Sequence, residues 1–543
     1  MSIAPLSAGP AQNRQVEISA VHAPDYIAHR PAPEKAMRSH KKSCVLNICL
    51  AAWCLVGSAM NLQAAETVGR ALSSQQNVAV PGQWNPLHLH KDVSPETARA
   101  YRREFDTQLA TAGYLYALPA YLHAKQRYEF LFNFTRYMGD RGNPFDQFLC
   151  VRTPASIKTT DTMPNNDTLY GAAFLDLKAS PMVLSVPDIP DRYYSFTLID
   201  AYFYPFAYIG SRTMGQKAGN YLIVGPDWQG SVPAGIREVV KAPTPSINLY
   251  QRIYFRNLDD VPNVVKLQDQ IRLTPLATFL DPAARVALPD PGPILKDSPL
   301  LARDPVEVLR IANRYMAENP PPVEDRSFLD HIAPIGIGPG REIPDDPRML
   351  EVLRAGATAA DHAMTALVLD GFPVRNGWQI PPADIGRRNA PGGIATQAMV
   401  QLRSIGINHA EEATYYTAYT DGGGQPLNGR QRYTLTFRPD EIPPLLKDKF
   451  GFWSLTLYDR TNGLFVDNPR HKYLVRSADP LVFGHDGSLT LLIQPEAPAD
   501  PKLAANWLPA PAEGDFMLNL RVFVGGPAVV SGRYTPPPIK RQE

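Results

Sequence analysis

The period of the hydrophobic positions changes several times along the chain. Between Pro95 and about Tyr137, the residues Tyr101, Phe105, Leu109 and Tyr114-Leu115 recur near helical spacing. Ser94 is placed to cap this helix, and Pro95 and Glu96 suit its first turn. From about Cys150 to Leu276 the runs MVLSVP, RYYSFTLIDAY, FAYIGS, NYLIVGP and IREVVKAP alternate with Pro, Gly and Asp, which predicts short strands and turns. Residues 277–345 are rich in Pro and Asp, with one helix predicted at about Pro305–Glu318, and residues 346–370 are helical again. From Gly429 the strand texture returns in RYTLTF, FWSLTLYD, KYLVRS, SLTLLIQ and FMLNLRVFV. No short repeat is evident. The pattern predicts an α+β, β-dominated fold: two β-sandwich or jelly-roll-like domains with associated helices. The boundaries read from it are an irregular lead-in at 66–95, a first domain at 96–285, a Pro-rich linker carrying a helix at 286–345, a second domain at 346–535 and a tail at 536–543.

The N-terminal region has a different pattern. Arg38, Lys41 and Lys42 precede an apolar run of 16 residues, Val45–Met60, followed by Asn61-Leu62-Gln63-Ala64-Ala65-Glu66. Basic stretch, apolar stretch and small residues in that order define a cleavable secretory signal, here residues 37–65. The run is shorter than the roughly 20 residues a spanning helix needs. The expectation is a periplasmic or secreted protein with no stable membrane span after cleavage. Trp53 before Cys54 argues against a lipid anchor, because a small residue is usual there. Residues 1–36 are polar and without periodicity. They are expected to be either disordered or upstream of the true start, with Met37 as initiator.

Composition narrows the function classes. The net charge of +1 points to neither a nucleic-acid nor an anionic-membrane partner. After a signal ending at residue 65, about 480 residues remain, enough for two or three cores. Three of the four cysteines, Cys44, Cys49 and Cys54, lie in the signal; Cys150 alone stays in the body. No internal disulfide or Cys-based zinc site is therefore expected. The 54 prolines favour short strands and loops.

Several strings carry a family resemblance. Asn165-Asn166-Asp167-Thr168-Leu169-Tyr170, Pro187-Asp188, Arg192-Tyr193-Tyr194-Ser195-Phe196 and Phe206-Ala207-Tyr208-Ile209-Gly210-Ser211-Arg212 resemble the bacterial domain of unknown function 1254. Asn376-Gly377-Trp378, Tyr433–Phe437, Phe452–Asp459, Asp486–Thr490 and Asn506–Pro511 resemble its usual companion, domain of unknown function 1214. The resemblance covers about residues 100–530 and includes the linking Gly336–Gly340. Tyr204-Pro205-Phe206 departs from it, since family members more often carry Asn before the Phe. The resemblance implies an exported protein with β-sandwich-like domains and names no reaction.

The candidate chemistry comes from the residues themselves. Asn165, Asn166, Asp167 and Tyr170 put many hydrogen-bonding groups on one turn, either as a turn-closing cluster or as a pocket wall with Asp167 as base or cation ligand. Alternation along the next strand places Arg192, Tyr194, Phe196, Leu198 and Asp200 on one side, so Arg192 and Asp200 either line a cleft or form a rim ion pair. Asp167, Asp200 and Arg212 are the catalytic candidates; Asn165, Asn166, Tyr170, Arg192 and Tyr202 are the ligand-binding ones. Asp167 and Asp200 would suit glycoside hydrolysis if they face each other within about 5–10 Å. His88 and His90 have strand spacing and are candidate ligands for a divalent metal, without an evident third ligand. Trp378, Trp453, Tyr458 and Trp507 are either sugar-stacking platforms or core anchors.

No Gly-x-Ser-x-Gly elbow, P-loop or dinucleotide loop occurs, and Gly336-x-Gly338-x-Gly340 has the wrong spacing, so no nucleotide cofactor is expected. Two function classes stay open. One is an exported protein that binds or processes a small organic ligand in a polar pocket of the first domain. The other is a non-catalytic protein that binds carbohydrate or another ligand across both β domains. Either could form an oligomer.

Overall fold

The structure, a computed structural model, describes residues 93–138, 145, 147–160, 163–289, 302, 304–388, 390, 392–404 and 406–542. The segment 37–65 expected to be a signal and the pair His88 and His90 lie outside the described residues. Helix α1 (Pro95–Met138) opens with Ser94 accepting the Thr97 N–H at 3.1 Å. The compact body runs from Arg103 to Glu543.

The first half contributes β1 (Leu149–Cys150), β2 (Thr168–Asp176), β3 (Met182–Val186), β4 (Tyr194–Ile199), β5 (Pro205–Gly210), β6 (Gly219–Val224), β7 (Ile236–Lys241), β8 (Ser246–Tyr254), α2 (Val261–Gln268), β9 (Arg272–Pro275) and α3 (Leu276–Leu280). They form a five-stranded sheet, β1-β2-β8-β4-β5, and a four-stranded one, β7-β6-β3-β9. Alternate residues of both sheets, among them Leu169, Phe196, Leu198, Leu184, Tyr221 and Ile223, fill a shared core. This is a sandwich built from the period-2 pattern. Each such side chain, once fully buried, contributes about 1.5–3 kcal/mol of transfer free energy.

Helices α4 (Pro305–Glu318), α5 (Arg326–Ile332) and α6 (Pro347–Asp370) follow, and α4 and α6 are capped by Asp304 and Asp346. Then come β10 (Val374–Arg375), β11 (Trp378–Gln379), α7 (Gly393–Arg403), β12 (Ala413–Ala418), β13 (Tyr433–Phe437), β14 (Phe452–Asp459), β15 (Leu474–Arg476), β16 (Leu489–Gln494), β17 (Trp507–Pro509), β18 (Phe516–Phe523), α8 (Pro527–Val530) and β19 (Ile539–Arg541). Their sheets have the orders β10-β11-β12-β18-β14-β15 and β17-β16-β13-β19, again around one apolar core. A third core joins α1, α4, α5, α6 and α7 with the Ala201–Tyr204 loop. The fold is α+β and β-rich.

The two sandwiches repeat one topology. Strands β12 to β19 correspond in order to β2 to β9: β2-β8-β4-β5 matches β12-β18-β14-β15, and β7-β6-β3-β9 matches β17-β16-β13-β19. The parallel edge pair β6·β7 recurs as β16·β17. Register agrees as well. Arg252 on β8 lies opposite Tyr170 and Ser195, and Arg521 on β18 lies opposite Tyr415 and Ser454. The carbonyl of Asp167 accepts the Phe255 N–H at 3.2 Å, as that of Glu412 accepts the Val524 N–H at 3.0 Å. The matching residues are 245 apart at Tyr170 and Tyr415, 259 at Ser195 and Ser454, and 269 at Arg252 and Arg521. Loops of unequal length thus shift the frame, and for this reason a fixed period does not show in the sequence.

Candidate functional site

Each large sheet has one apolar face inside its sandwich; the other face carries polar side chains, and on the first sheet part of it packs on α1 through Phe174, Asn248 and Tyr250. On the first sheet the polar face carries Tyr170, Ser195, Thr197, Tyr250 and Arg252. On the second it carries Tyr415, Thr417, Ser454, Thr456, Asn519 and Arg521. Aromatic rings close one end of the seam between them: Tyr193 packs against Phe452 and Phe523 at centroid distances of 5.6 and 5.4 Å, and Tyr254 against Phe452 at 4.7 Å.

Two carboxylates tie the domains together reciprocally. Asp167, before β2, accepts from Ser454 Oγ at 2.6 Å and from Arg476 Nε at 3.4 Å, both in the second domain. Glu412, before β12, accepts from Tyr193 Oη at 2.6 Å and Arg212 Nε at 2.7 Å, both in the first. Burial, followed by the neighbouring Glu412 charge, pushes the Tyr193 phenol well above its ordinary range.

The two mid-sheet arginines are held differently. Arg252 donates through Nη1 to Thr197 Oγ1 at 2.8 Å and through Nε to Tyr170 Oη at 3.4 Å, with its guanidinium 5.2 Å from the Tyr170 ring centroid. Arg521 donates to Thr456 Oγ1 at 3.0 Å, Tyr458 Oη at 2.6 Å and the Met163 carbonyl at 3.0 Å. They are 8% and 4% exposed, and among the described residues neither forms a salt bridge. Tyr415 lies in the field of both guanidiniums. Among the described residues Thr168 Oγ1 and Asn519 Oδ1 are buried with no hydrogen-bond partner, while Tyr170 and Tyr415, near the starts of β2 and β12, keep accessible surface.

The structure redistributes the residues proposed from sequence. Asp167 is at the seam. Asn165 closes the turn before β2: its Oδ1 accepts the N–H groups of Asp167 at 2.6 Å and Thr168 at 3.2 Å. Asn166 contributes its carbonyl to Arg476 Nη2 at 2.6 Å, and its own Oδ1 is unpartnered. Tyr170 and Arg212 reach the seam. Arg192 does not line a cleft: it is locked by Asp260 at 2.7 and 3.1 Å, by Asp191 and by the Tyr254 carbonyl. Asp200 closes a turn, its Oδ1 accepting from the Tyr202 and Tyr204 N–H groups at 2.8 and 3.0 Å while Oδ2 accepts from Arg388 at 3.3 Å. The corresponding Asp459 closes its own turn through the Thr461 and Asn462 N–H groups. Tyr202 is fully packed, with Oη donating to the Asn319 carbonyl at 2.7 Å.

The apolar side of β4 that Arg192 and Asp200 flank does not line a cleft. Tyr194, Phe196 and Leu198 point into the sandwich core, and Ser195 and Thr197 face the seam. Asp167 lies level with Phe255 and Asp200 beyond Asn248, at opposite ends of β8. Seven or eight residues along that strand separate them, about 25 Å at ~3.3 Å per residue. They cannot act as a paired acid and base on one glycosidic bond. Trp378, Trp453 and Trp507 are buried core anchors, and Tyr458 is buried beside Arg521. Among the described residues no group of three or more His, Cys, Asp or Glu could hold a metal ion. No helix among them is long and apolar enough to cross a membrane.

Sequence reasoning missed Arg252, Arg521, Glu412, Tyr415, Ser454 and Arg476. The signal was present as the paired strings Ser195-Phe196-Thr197-Leu198-Ile199-Asp200 and Ser454-Leu455-Thr456-Leu457-Tyr458-Asp459, and as one arginine inside each of two strands of otherwise buried residues.

Comparison with known proteins agrees with the bipartite fold. Residues 145–275 match the family model "Protein of unknown function (DUF1254)" and residues 412–527 match "Protein of unknown function (DUF1214)". Two domains of unknown function are thus present, in the order the resemblance implied. No curated protein matches the chain. Among solved structures, the VPA0106 protein from Vibrio parahaemolyticus is similar at 24% identity and a TM-score of 0.61, covering 81% of this chain and 100% of its own. An uncharacterized protein from Burkholderia cenocepacia matches at 15% identity and a TM-score of 0.40, over 84% of this chain and 91% of its own. The Vibrio structure shares the fold.

Proposed function

We propose that the protein is exported and binds a small organic ligand in the seam between its two sandwiches. This is the ligand-binding class expected from sequence, with the pocket moved from the first domain to the faces both domains share. One observation carries it: buried, unpartnered Thr168 Oγ1 and Asn519 Oδ1 lie on facing sheets that leave Tyr170 and Tyr415 accessible. A buried polar atom without a partner costs about 1–3 kcal/mol, so a ligand or water that supplies the missing bond is favoured there.

A metabolite screen against the purified full chain, read by thermal unfolding, tests this reading. A ligand at about 100 times its Kd stabilises the folded state by about 2.7 kcal/mol. That gain should vanish in Asn519→Leu while the fold persists. If no small molecule shifts the transition, or if Asn519→Leu responds as the parent does, the seam is not the site. Mass spectrometry of the incubated ligand separates binding from processing. Export is supported by the signal pattern at 37–65. It is tested by cell fractionation with N-terminal sequencing: recovery from the periplasm or medium with a new N-terminus near residue 66 is expected, and recovery in the cytoplasm with residues 37–65 uncut would end that part of the reading.

A further inference from the structure

Resting on the seam as a binding site, we propose that its ligand is a small organic dianion, with one oxyanion group held by Arg252 and the other by Arg521.

The repeated topology supplies the argument. Each large sheet places one arginine on its central strand, flanked across the ladder by a tyrosine and a serine: Tyr170–Arg252–Ser195 and Tyr415–Arg521–Ser454. In both, Nη1 is steadied by a threonine two residues beyond the serine, Thr197 at 2.8 Å and Thr456 at 3.0 Å. The two units face each other: Arg521 Nη2 donates to the first domain's Met163 carbonyl at 3.0 Å, and Thr197, which holds Arg252, donates at 3.4 Å to Asn408, whose Nδ2 donates to Tyr415 Oη at 2.8 Å.

Charge bookkeeping separates these arginines from the other two at the seam. Arg212 is neutralised by Glu412 at 2.7 Å and Arg476 by Asp167 at 3.4 Å. Asp167 lies in the field of Arg521, but its oxygens accept from Ser454 and Arg476 instead. The partners of Arg252 and Arg521 are hydroxyls and one carbonyl, which satisfy donors without cancelling charge. A guanidinium stays protonated at every physiological pH; among the described residues neither Arg252 nor Arg521 is bonded to a carboxylate, and Asp167 offsets the charge of Arg521 only through space. Its planar fork matches a carboxylate or a phosphate group. Among the described residues Arg252 Nη2 and Arg521 Nε make no hydrogen bond, so each guanidinium keeps a donor for one end of a molecule with an oxyanion at each end, or for a doubly charged phosphate between them.

The test is isothermal titration calorimetry on the purified full chain with succinate, inorganic phosphate, acetate and glucose, in low-salt buffer. The dianions should bind saturably, one per chain, and more tightly than acetate. Succinate and phosphate together identify which oxyanion chemistry fits. Arg252→Gln and Arg521→Gln should each weaken dianion binding roughly ten- to hundred-fold, the worth of a charge-assisted hydrogen-bond pair. Each should also erase the preference over acetate. Arg252→Lys keeps the charge and should bind with intermediate affinity. Arg521→Gln loses bonds to three acceptors and should lower the ligand-free thermal midpoint more than Arg252→Gln, and a cooperative transition in both shows that the fold persists. Absence of saturable anion binding, or Gln variants that bind as the parent does, overturns the proposal. Saturable binding of glucose that Asn519→Leu abolishes, without any anion binding, would keep the seam as a site and overturn its dianion specificity alone.

Discussion

Ser454 Oγ donates to Asp167 Oδ2 at 2.6 Å across 287 positions of sequence, and this bond belongs to the seam that joins the two sandwiches. Asp167 is completely buried and also accepts from Arg476. Asp167→Ala removes the counter-charge of a buried arginine and should cost about 3–5 kcal/mol. Ser454→Ala removes one donor and should cost about 1–3 kcal/mol. Urea unfolding of the full chain measures both. Equal and small effects would mean the domains are not held together here.

Glu412 performs the reciprocal task in the other direction. Its two oxygens take Tyr193 Oη and Arg212 Nε, so Tyr193→Phe should cost about 1–2 kcal/mol by leaving one buried carboxylate oxygen short of a donor. Glu412→Ala should cost more, because it strips both partners at once. Because Arg212 keeps about a fifth of its surface exposed, water compensates part of that loss, and the effect should stay below that of Asp167→Ala. Thermal midpoints of the three variants check the order.

Much of the fold was legible in alternation. Phe196 and Leu198 alternate with Ser195 and Thr197, and that alone separates the two faces of β4. Of the two readings open for Arg192 and Asp200, cleft or rim, the rim holds: the charges sit at the strand's ends, where Arg192 pairs with Asp260 and Asp200 closes a turn. The uncharged Ser195 and Thr197 mark the functional side. Arg252 and Arg521 could be seen individually as arginines within buried strands. Their pairing could not, since it depends on two sandwiches meeting through sheets whose matching residues lie 245 to 269 positions apart. Glu412 and Asp167 likewise read as isolated acids until each is placed against the other domain's arginine.

Acid sensitivity should trace partly to His123. The ring is completely buried among Phe174, Phe203 and Tyr315, with Nδ1 hydrogen-bonded to the Tyr315 hydroxyl at 2.7 Å. Burial first, and then the Arg127 charge, lower its pKa from 6.5 to about 3. The folded state therefore keeps it neutral where the unfolded chain takes up a proton. Its full contribution is present above pH 6.5 and is lost as pH falls from 6.5 towards 3, by up to about 1.4 kcal/mol per pH unit. His409, lowered to about 4 by burial, adds in the same direction. His123→Gln should flatten the fall in stability between pH 7 and pH 5. An unchanged slope in urea midpoints at the two pH values would assign the acid limb elsewhere.

Gly356 gives the sharpest test of the helical layer. It sits within α6, where a Cβ would lie 2.5 Å from Ala110 Cβ, 2.7 Å from the Ala110 carbonyl carbon and 2.8 Å from the Thr111 nitrogen of α1. In an isolated helix Gly→Ala gains about 1 kcal/mol of propensity. Here two of the three nearest atoms are backbone, which cannot rotate away, so α1 and α6 must separate. Overpacking of this kind costs about 1–3 kcal/mol, and the propensity gain offsets only part of it. Gly356→Ala should therefore lower the thermal midpoint, and Gly356→Val should lower it further, since a β-branched side chain adds bulk at the same crossing without the propensity of Ala. If Gly356→Ala proves as stable as the parent, α1 and α6 do not approach closely in solution.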